Sequence, residues 1–148
     1  MYTPKPLAWD DALNTGENSI DNQHKYLVDT LNKLGTAINE NHGAEELGRI
    51  LGILRFYSGW HFGKEEDCME AYHCPAAGKN KKAHAVFISK FDSYQAEFDQ
   101  TGGSVELALK IHEENSDWIV NHILMVDGEL YPCIHNRQKP INRVGSGG

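Results

Sequence analysis

The chain has 148 residues, a formal charge of −7 and a hydrophobic fraction of 40%, which fits one domain with a core of its own. The negative charge argues against nucleic acid or an anionic membrane as the main partner. No run of about 18 apolar residues is present to span a bilayer. The first residues lack the apolar segment of a signal peptide, so we expect a cytoplasmic protein or one fused to a partner. Three cysteines, odd in number and widely spread, favour free thiols in a reducing compartment.

Four segments with helical periodicity follow one another along the chain. Asp21 is the predicted N-cap of the first segment, and Ser104 caps the fourth. Cys74-Pro75 stops the second segment, and Thr101-Gly102-Gly103 forms a turn after the third. The predicted helices run from about Ile20 to Asn41, from Ala44 to Tyr72, from Gly78 to Gln100, and from Ser104 to about Tyr131.

Helices of about 20 to 29 residues joined by short loops favour antiparallel neighbours. The predicted fold is therefore all-α, an up-down-up-down antiparallel four-helix bundle with an N-terminal arm. In that arm Leu7, Trp9 and Leu13 are available to pack on the bundle. We expect a single domain over residues 1–140 and a flexible or vector-derived tail over residues 141–148.

Two pairs of residues have a spacing at which both side chains could bind one metal site. His61 and Glu65 lie at i and i+4, so they project from one helix face, where a buried carboxylate is costly unless a cation compensates it. Alone, this pair is a weak signal, and a solvated ion pair or a capping arrangement is the favoured interpretation. His122 and Asp127 are five apart, about 140° around a regular helix. They can meet at one site only if Asp127 reaches back or the helix loosens, and a solvent-exposed Asp127 near the helix end is the alternative.

His24 and His84 lie on apolar stripes, where either can be an ordinary hydrogen-bonded core residue. The four helices together change this interpretation, because each places a nitrogen or carboxylate ligand on its inward stripe. Burying all of these groups without compensation would be costly, and a shared pair of metal ions removes the cost. The predicted metal ligands are His24, His61, Glu65, His84, His122 and Asp127. Polar surroundings predict exposure for His42, His112 and His135, and a solvated face for Glu66 and Asp67.

Three motifs carry a resemblance to a known family. They are Trp9-Asp10 followed by Ile20-Asp21-Asn22-Gln23-His24-Lys25, then His61-Phe62-Gly63-Lys64-Glu65-Glu66, and Trp118-Ile119-Val120-Asn121-His122-Ile123 with Asp127. With them the chain resembles the bacterial hemerythrins, which are non-haem di-iron oxygen-binding four-helix bundles, from Trp9 to about Tyr131.

The resemblance implies two iron ions bridged by Glu65, Asp127 and an oxo or hydroxo group. One iron would take His24 and His61 and keep an open position for dioxygen. The other would take His122 and two histidines of the third helix, and imidazole and carboxylate ligands suit iron. Dioxygen is the implied partner, and no protein partner is predicted.

The third helix departs from the family pattern, which would place histidines at positions 80 and 84. This chain has Asn80 and His84. Asparagine offers only a neutral, weak oxygen donor on a shorter side chain. Three alternatives stay open: Asn80 or water completes the second iron, His73 swings in from the loop, or the site is half-occupied or binds another metal.

The leading interpretation is a non-enzymatic protein that binds dioxygen reversibly for transport, storage or sensing. An apolar wall of Leu27, Leu31, Trp118, Ile119 and Ile123 would keep water away. One alternative is a di-iron enzyme that consumes oxygen, peroxide or nitric oxide, because Asn80 leaves an iron under-coordinated. The other is a metal-buffering or regulatory binding module.

Overall fold

The computed structural model describes residues 2–137, and for residues 127, 128, 136 and 137 it describes the backbone alone. The predicted tail at 141–148 and the domain boundary at 140 lie outside the described residues. After a short 3-10 helix at Asp11–Leu13, four α-helices follow: α1 Asn18–Asn39, α2 Gly43–Ala71, α3 Ala77–Thr101 and α4 Val105–Arg137. No strand occurs between residues 2 and 137.

The helices form the predicted antiparallel bundle. Short loops at 40–42, 72–76 and 102–104 reverse the chain after each helix. Helix α1 contacts α2 and α4, and α3 contacts the same two helices. The all-α, up-down-up-down four-helix fold is therefore confirmed. None of the helices in the described part of the chain is long and apolar enough to cross a membrane.

The ends of α1 and α4 differ from the prediction. Helix α1 begins at Asn18, where the Glu17 carboxylate accepts from the backbone N–H of Ser19. Asp21 is not the N-cap, because its Oδ1 accepts from the backbone N–H and the hydroxyl of Thr15, at 2.7 and 2.8 Å. Ser104 does cap α4, where its hydroxyl accepts from the N–H of Leu107 at 3.0 Å.

Helix α4 continues past Tyr131, through Pro132, to Arg137. A proline inside a helix removes one hydrogen bond and costs about 3 kcal/mol. Burial offsets this cost, since Leu130 and Cys133 lie in a small apolar cluster at this end of the bundle.

A disulfide joins Cys133 to Cys74 in the loop after α2, with the two Cα atoms 5.8 Å apart. The prediction of free thiols is wrong for these two residues, which a separation of 59 positions hides in the sequence. Cys68 alone is free and half-buried, and burial raises the pKa of its thiol to about 11. The bond ties the far end of α4 to the α2–α3 connection.

The N-terminal arm packs along the bundle as predicted, with Leu7, Trp9 and Leu13 against the main core. The side-chain amide of Asn32 in α1 holds the arm by its backbone. Its Oδ1 accepts from the N–H of Leu7 at 2.8 Å, and its Nδ2 donates to the Leu7 carbonyl at 2.9 Å. This double hydrogen bond fixes where the arm lies.

Candidate metal centre

The centre of the site is the carboxylate of Glu65 on α2, which is fully buried. Each helix supplies one histidine whose Nε2 faces it. His24 and His61 face Oε2 at 2.9 and 3.4 Å. His84 and His122 face Oε1 at 2.8 and 3.0 Å. The two oxygens of one carboxylate thus each face their own pair of imidazoles.

Helical spacing produces this arrangement. His61 precedes Glu65 by one turn of α2, so the two side chains share a face. His24, His84 and His122 occupy the inward stripes of α1, α3 and α4, and all of them are buried. The structure thus brings together five of the six residues predicted as metal ligands. Their role as ligands stays a prediction.

The sixth residue, Asp127, lies in α4, but its side chain is outside the described residues. A place beside the cluster for this carboxylate therefore remains a prediction from the sequence. His122, one and a half turns earlier on the same helix, is the part of that pair which the structure places at Glu65.

The site favours an ionised carboxylate at Glu65. Burial on its own would raise the pKa of Glu65, but the ring nitrogens of His122, His24, His61 and His84 that face it outweigh burial and hold the pKa well below its ordinary value. Burial lowers the pKa of both His24 and His122. A buried carboxylate surrounded by imidazole nitrogens is a set of donors that suits a metal cation.

The donor atoms are also close enough to share an ion. Those of His24, Glu65 and His122 all lie within 4.8 Å of one another. The Nε2 of His61 is buried and has no hydrogen-bond partner among the residues whose side chains the structure describes. Buried polar atoms rarely remain unpaired, so this nitrogen is available for a cation. The residues present therefore fit a metal bound by nitrogen and oxygen donors.

Two residues that the sequence did not identify as functional candidates contact the histidines at Nδ1, the ring nitrogen facing away from Glu65. Gln23 Oε1 lies 2.7 Å from Nδ1 of His61, and Glu66 Oε2 lies 2.8 Å from Nδ1 of His84. Each contact makes Nδ1 the donor, so Nε2 is left to face the cluster. The solvated face predicted for Glu66 is wrong, whereas Asp67 is exposed as predicted. Their position next to His24 and Glu65 in the chain was the available signal.

Asn80 lies where the family pattern would place a histidine, fully buried beside Glu65. Its Nδ2 donates to Glu65 Oε1 at 3.1 Å and to the sulfur of Met69 at 3.2 Å. Its Oδ1 is buried without a partner. His73 lies exposed in the loop after α2. Of the two residues considered for the missing ligand, Asn80 is the one beside the carboxylate.

Aromatic rings close the site. Phe62 stacks on the imidazole of His84 with ring centres 3.9 Å apart, and Trp118 stacks on that of His122 at 4.4 Å. Phe87 stacks in turn on Trp118 at 3.9 Å. The residues of the predicted apolar wall all belong to or pack against the same core: Leu27, Leu31, Trp118, Ile119 and Ile123. Access of water to the cluster is thereby restricted.

His42 and His135 are exposed as predicted, but His112 is only 1% exposed and the prediction for it is wrong. Its Nδ1 lies 2.6 Å from the hydroxyl of Tyr2, a residue of the arm 110 positions earlier in the chain. Its ring lies against Gly35, where an added Cβ would approach Nε2 to 2.8 Å. Neither neighbour is visible in the polar stretch around His112.

The fold and the site together define a helical bundle with a candidate metal centre in its core. Residues 15–134 match the family model described as the hemerythrin HHE cation binding domain. The chain belongs to the hemerythrin family, as the motifs predict.

Several relatives can be aligned with most of the chain. A bacteriohemerythrin of Pseudomonas aeruginosa is 33% identical over 144 residues, which cover 96% of this chain and 91% of the relative. A bacteriohemerythrin of Stenotrophomonas maltophilia is 33% identical over 117 residues, 79% of this chain and 74% of the relative. The hemerythrin of Themiste dyscrita is 32% identical over 124 residues, 84% of this chain and 90% of the relative.

Proposed function

We propose that this protein holds two iron ions in the bundle core and binds dioxygen reversibly there. The observation that carries the proposal is that the two oxygens of the Glu65 carboxylate face different pairs of histidines. Oε2 faces His24 and His61, while Oε1 faces His84 and His122. A carboxylate with a pair of imidazoles at each oxygen is suited to bridge two cations.

In this proposal His24 and His61 hold one iron, and His84 and His122 hold the other. Asp127 would supply a second carboxylate, as the resemblance to the family implies. Iron, when bound, would supply both electrons for reversible dioxygen binding. The protein binds the ions, orients their ligands and excludes water, which the stacked rings of Phe62 and Trp118 support. Membership of a cation-binding family supports the choice of a metal.

The role in transport, storage or sensing and the cytoplasmic location remain predictions from the sequence. A non-enzymatic role is part of the proposal. The specific observation that favours a different function is Asn80. With an amide in place of a histidine, the His84 and His122 side has one strong donor fewer than the family pattern. An under-coordinated iron favours an enzyme that consumes oxygen, peroxide or nitric oxide.

Metal analysis and one set of spectra test the proposal. Protein loaded with Fe(II) without oxygen should contain two irons per chain. Admitting oxygen should produce a visible absorption band that disappears when oxygen is removed. Continued oxygen uptake beyond one molecule per iron pair would support the enzyme instead. Metal binding without any oxygen-dependent band would support a buffering or regulatory module.

A matched pair of variants on α4 shows whether the response comes from this site. His122 and His112 are both buried in that helix, but only His122 faces Glu65. His122→Asn should abolish the absorption band and lower the iron content, while His112→Asn should keep both. Equal loss in the two variants would contradict the assigned site.

A further inference from the structure

We propose that Glu66 is a positioning residue for His84, and that its charge makes the His84 and His122 side the tighter of the two metal positions. The inference rests on the proposed function. It is based on the hydrogen-bond partners of the histidine Nδ1 atoms, which differ from one histidine to another. Nδ1 of His84 lies 2.8 Å from a carboxylate oxygen of Glu66, whereas Nδ1 of His61 lies 2.7 Å from the amide oxygen of Gln23. Nδ1 of His24 is buried with no hydrogen-bond partner in the described part of the chain.

These three partners affect the ring nitrogens differently. A hydrogen bond to a carboxylate is roughly twice as strong as one to a neutral acceptor. An imidazole whose Nδ1–H donates to an anion carries more electron density at Nε2, so it binds a cation more strongly. Of the three, His84 therefore has the strongest hydrogen-bond acceptor at Nδ1. His61 has a neutral acceptor there, and His24 has none among the described residues.

Glu66 is placed for this role by its position after Glu65. Successive residues on a helix point about 100° apart, so Glu65 faces the core while Glu66 reaches the groove between α2 and α3. The groove is lined by Phe62, Lys81 and His84 as well. The Glu66 side chain keeps 23% of its surface exposed. The carboxylate thus touches the back of a buried ligand without being buried itself.

The same side of the site contains Asn80, which offers only an amide. Charge supplied through His84 compensates for the weaker donor. Without Glu66, the His84 and His122 side would have two histidines with no anionic support, which is the state of the His24 and His61 side. Glu66 therefore decides the order in which the two positions fill.

Titration of the metal-free protein with Co(II) in the absence of oxygen tests this, because the visible bands of cobalt report each bound ion. The wild type should bind two ions in two separated steps. His84→Asn should remove the tighter step and His61→Asn the weaker one. This pair of variants assigns each step to its side.

Glu66→Gln keeps the shape and the acceptor but removes the charge. It should weaken the tighter step by about 10- to 100-fold, the usual effect of losing a partner behind a metal ligand, and leave the other step unchanged. Gln23→Glu should strengthen the weaker step. Asp67→Asn, which removes the same charge one residue away on an exposed side chain, should change neither.

Three results would overturn the inference. They are two equal steps in the wild type, a Glu66→Gln titration that matches Asp67→Asn, and a weakening confined to the His24 and His61 side. Failure of the proposed function looks different, since the wild type would then bind no cobalt or bind it independently of His122. Cobalt binding at the histidines without any dependence on Glu66 would leave the proposed function standing and exclude the inference.

Discussion

Asn80 donates a hydrogen bond from Nδ2 to Oε1 of Glu65 over 3.1 Å. The acceptor is the oxygen that also faces His84 and His122. A cation at this oxygen must compete with the amide N–H, while no side-chain amide of the described residues donates to the oxygen that faces His24 and His61. A neutral side chain thus makes the two halves of the site chemically different.

Asn80→His should restore a full set of nitrogen donors at this position. We expect fuller iron loading and slower autoxidation, by about tenfold if the added ligand raises the barrier by about 1.4 kcal/mol. Iron content and the decay of the oxygenated spectrum measure both effects. Asn22→His, on the exposed face of α1, is the control and should behave as the wild type. An unchanged autoxidation rate in Asn80→His would place residue 80 away from the metal.

Glu65→Gln should remove the stabilisation that metal binding gives to the fold. A ligand at 100 times its dissociation constant stabilises a protein by about 2.7 kcal/mol, or about 5–10 °C in Tm for a chain of this size. The wild type should show this rise on metal addition, and Glu65→Gln should lose most of it. Thermal unfolding with and without metal is the measurement. Glu70→Gln, exposed on the same helix, serves as the control. A full metal-induced rise in Glu65→Gln would exclude Glu65 as a ligand.

The disulfide should be a large contributor to stability. It closes a loop across 59 positions, for which the chain-entropy model gives about 4 kcal/mol. Cys74→Ser and Cys133→Ser should each lower the free energy of unfolding by about this amount, and a reductant should do the same to the wild type. Cys68→Ser removes the free thiol and should have little effect. Denaturant unfolding distinguishes them, and equal stability with and without reductant would contradict the bond.

His112 should make the fold sensitive to mild acid. Burial lowers the pKa of its imidazole below the ordinary value of about 6.5, so the unfolded chain takes up a proton that the folded chain does not. Stability is then full above about pH 6.5 and falls as the pH drops toward the folded pKa. His24 and His122 act in the same direction, so His112→Gln should reduce this loss without abolishing it.

Thermal unfolding at about pH 7.5 and about pH 5.5 measures the effect of His112, through the difference between the two Tm values. His42→Gln is the control, because the imidazole of His42 is exposed and Glu45 raises its pKa instead. A difference in Tm that His112→Gln leaves intact would show that another group is responsible.

Much of the fold could be predicted because it rests on local patterns. The 3.6-residue spacing of apolar residues places His24, His84 and His122 on inward faces, and burial of all three follows. The cap at Ser104 is likewise a local signal. Helix α1 begins earlier than predicted because Asp21 binds Thr15 rather than capping the helix.

The errors concern contacts between residues that lie far apart in sequence. Glu66 and Asp67 resemble a solvated face, and nothing local shows that His84, 18 residues further on, meets Glu66. Cys74 and Cys133 are joined only because α4 returns beside the loop after α2. His112 is buried by Tyr2 from the arm. In each case tertiary packing decided what local composition could not.

The Asn32 amide holds the arm as a neighbouring β-strand would, by accepting from the N–H and donating to the carbonyl of one residue. Both bonds go to the main chain of residue 7, so they do not depend on which side chain stands there. Proline is the exception, because it has no N–H to donate. Substitutions along the arm can therefore alter its surface chemistry without sliding it over the bundle.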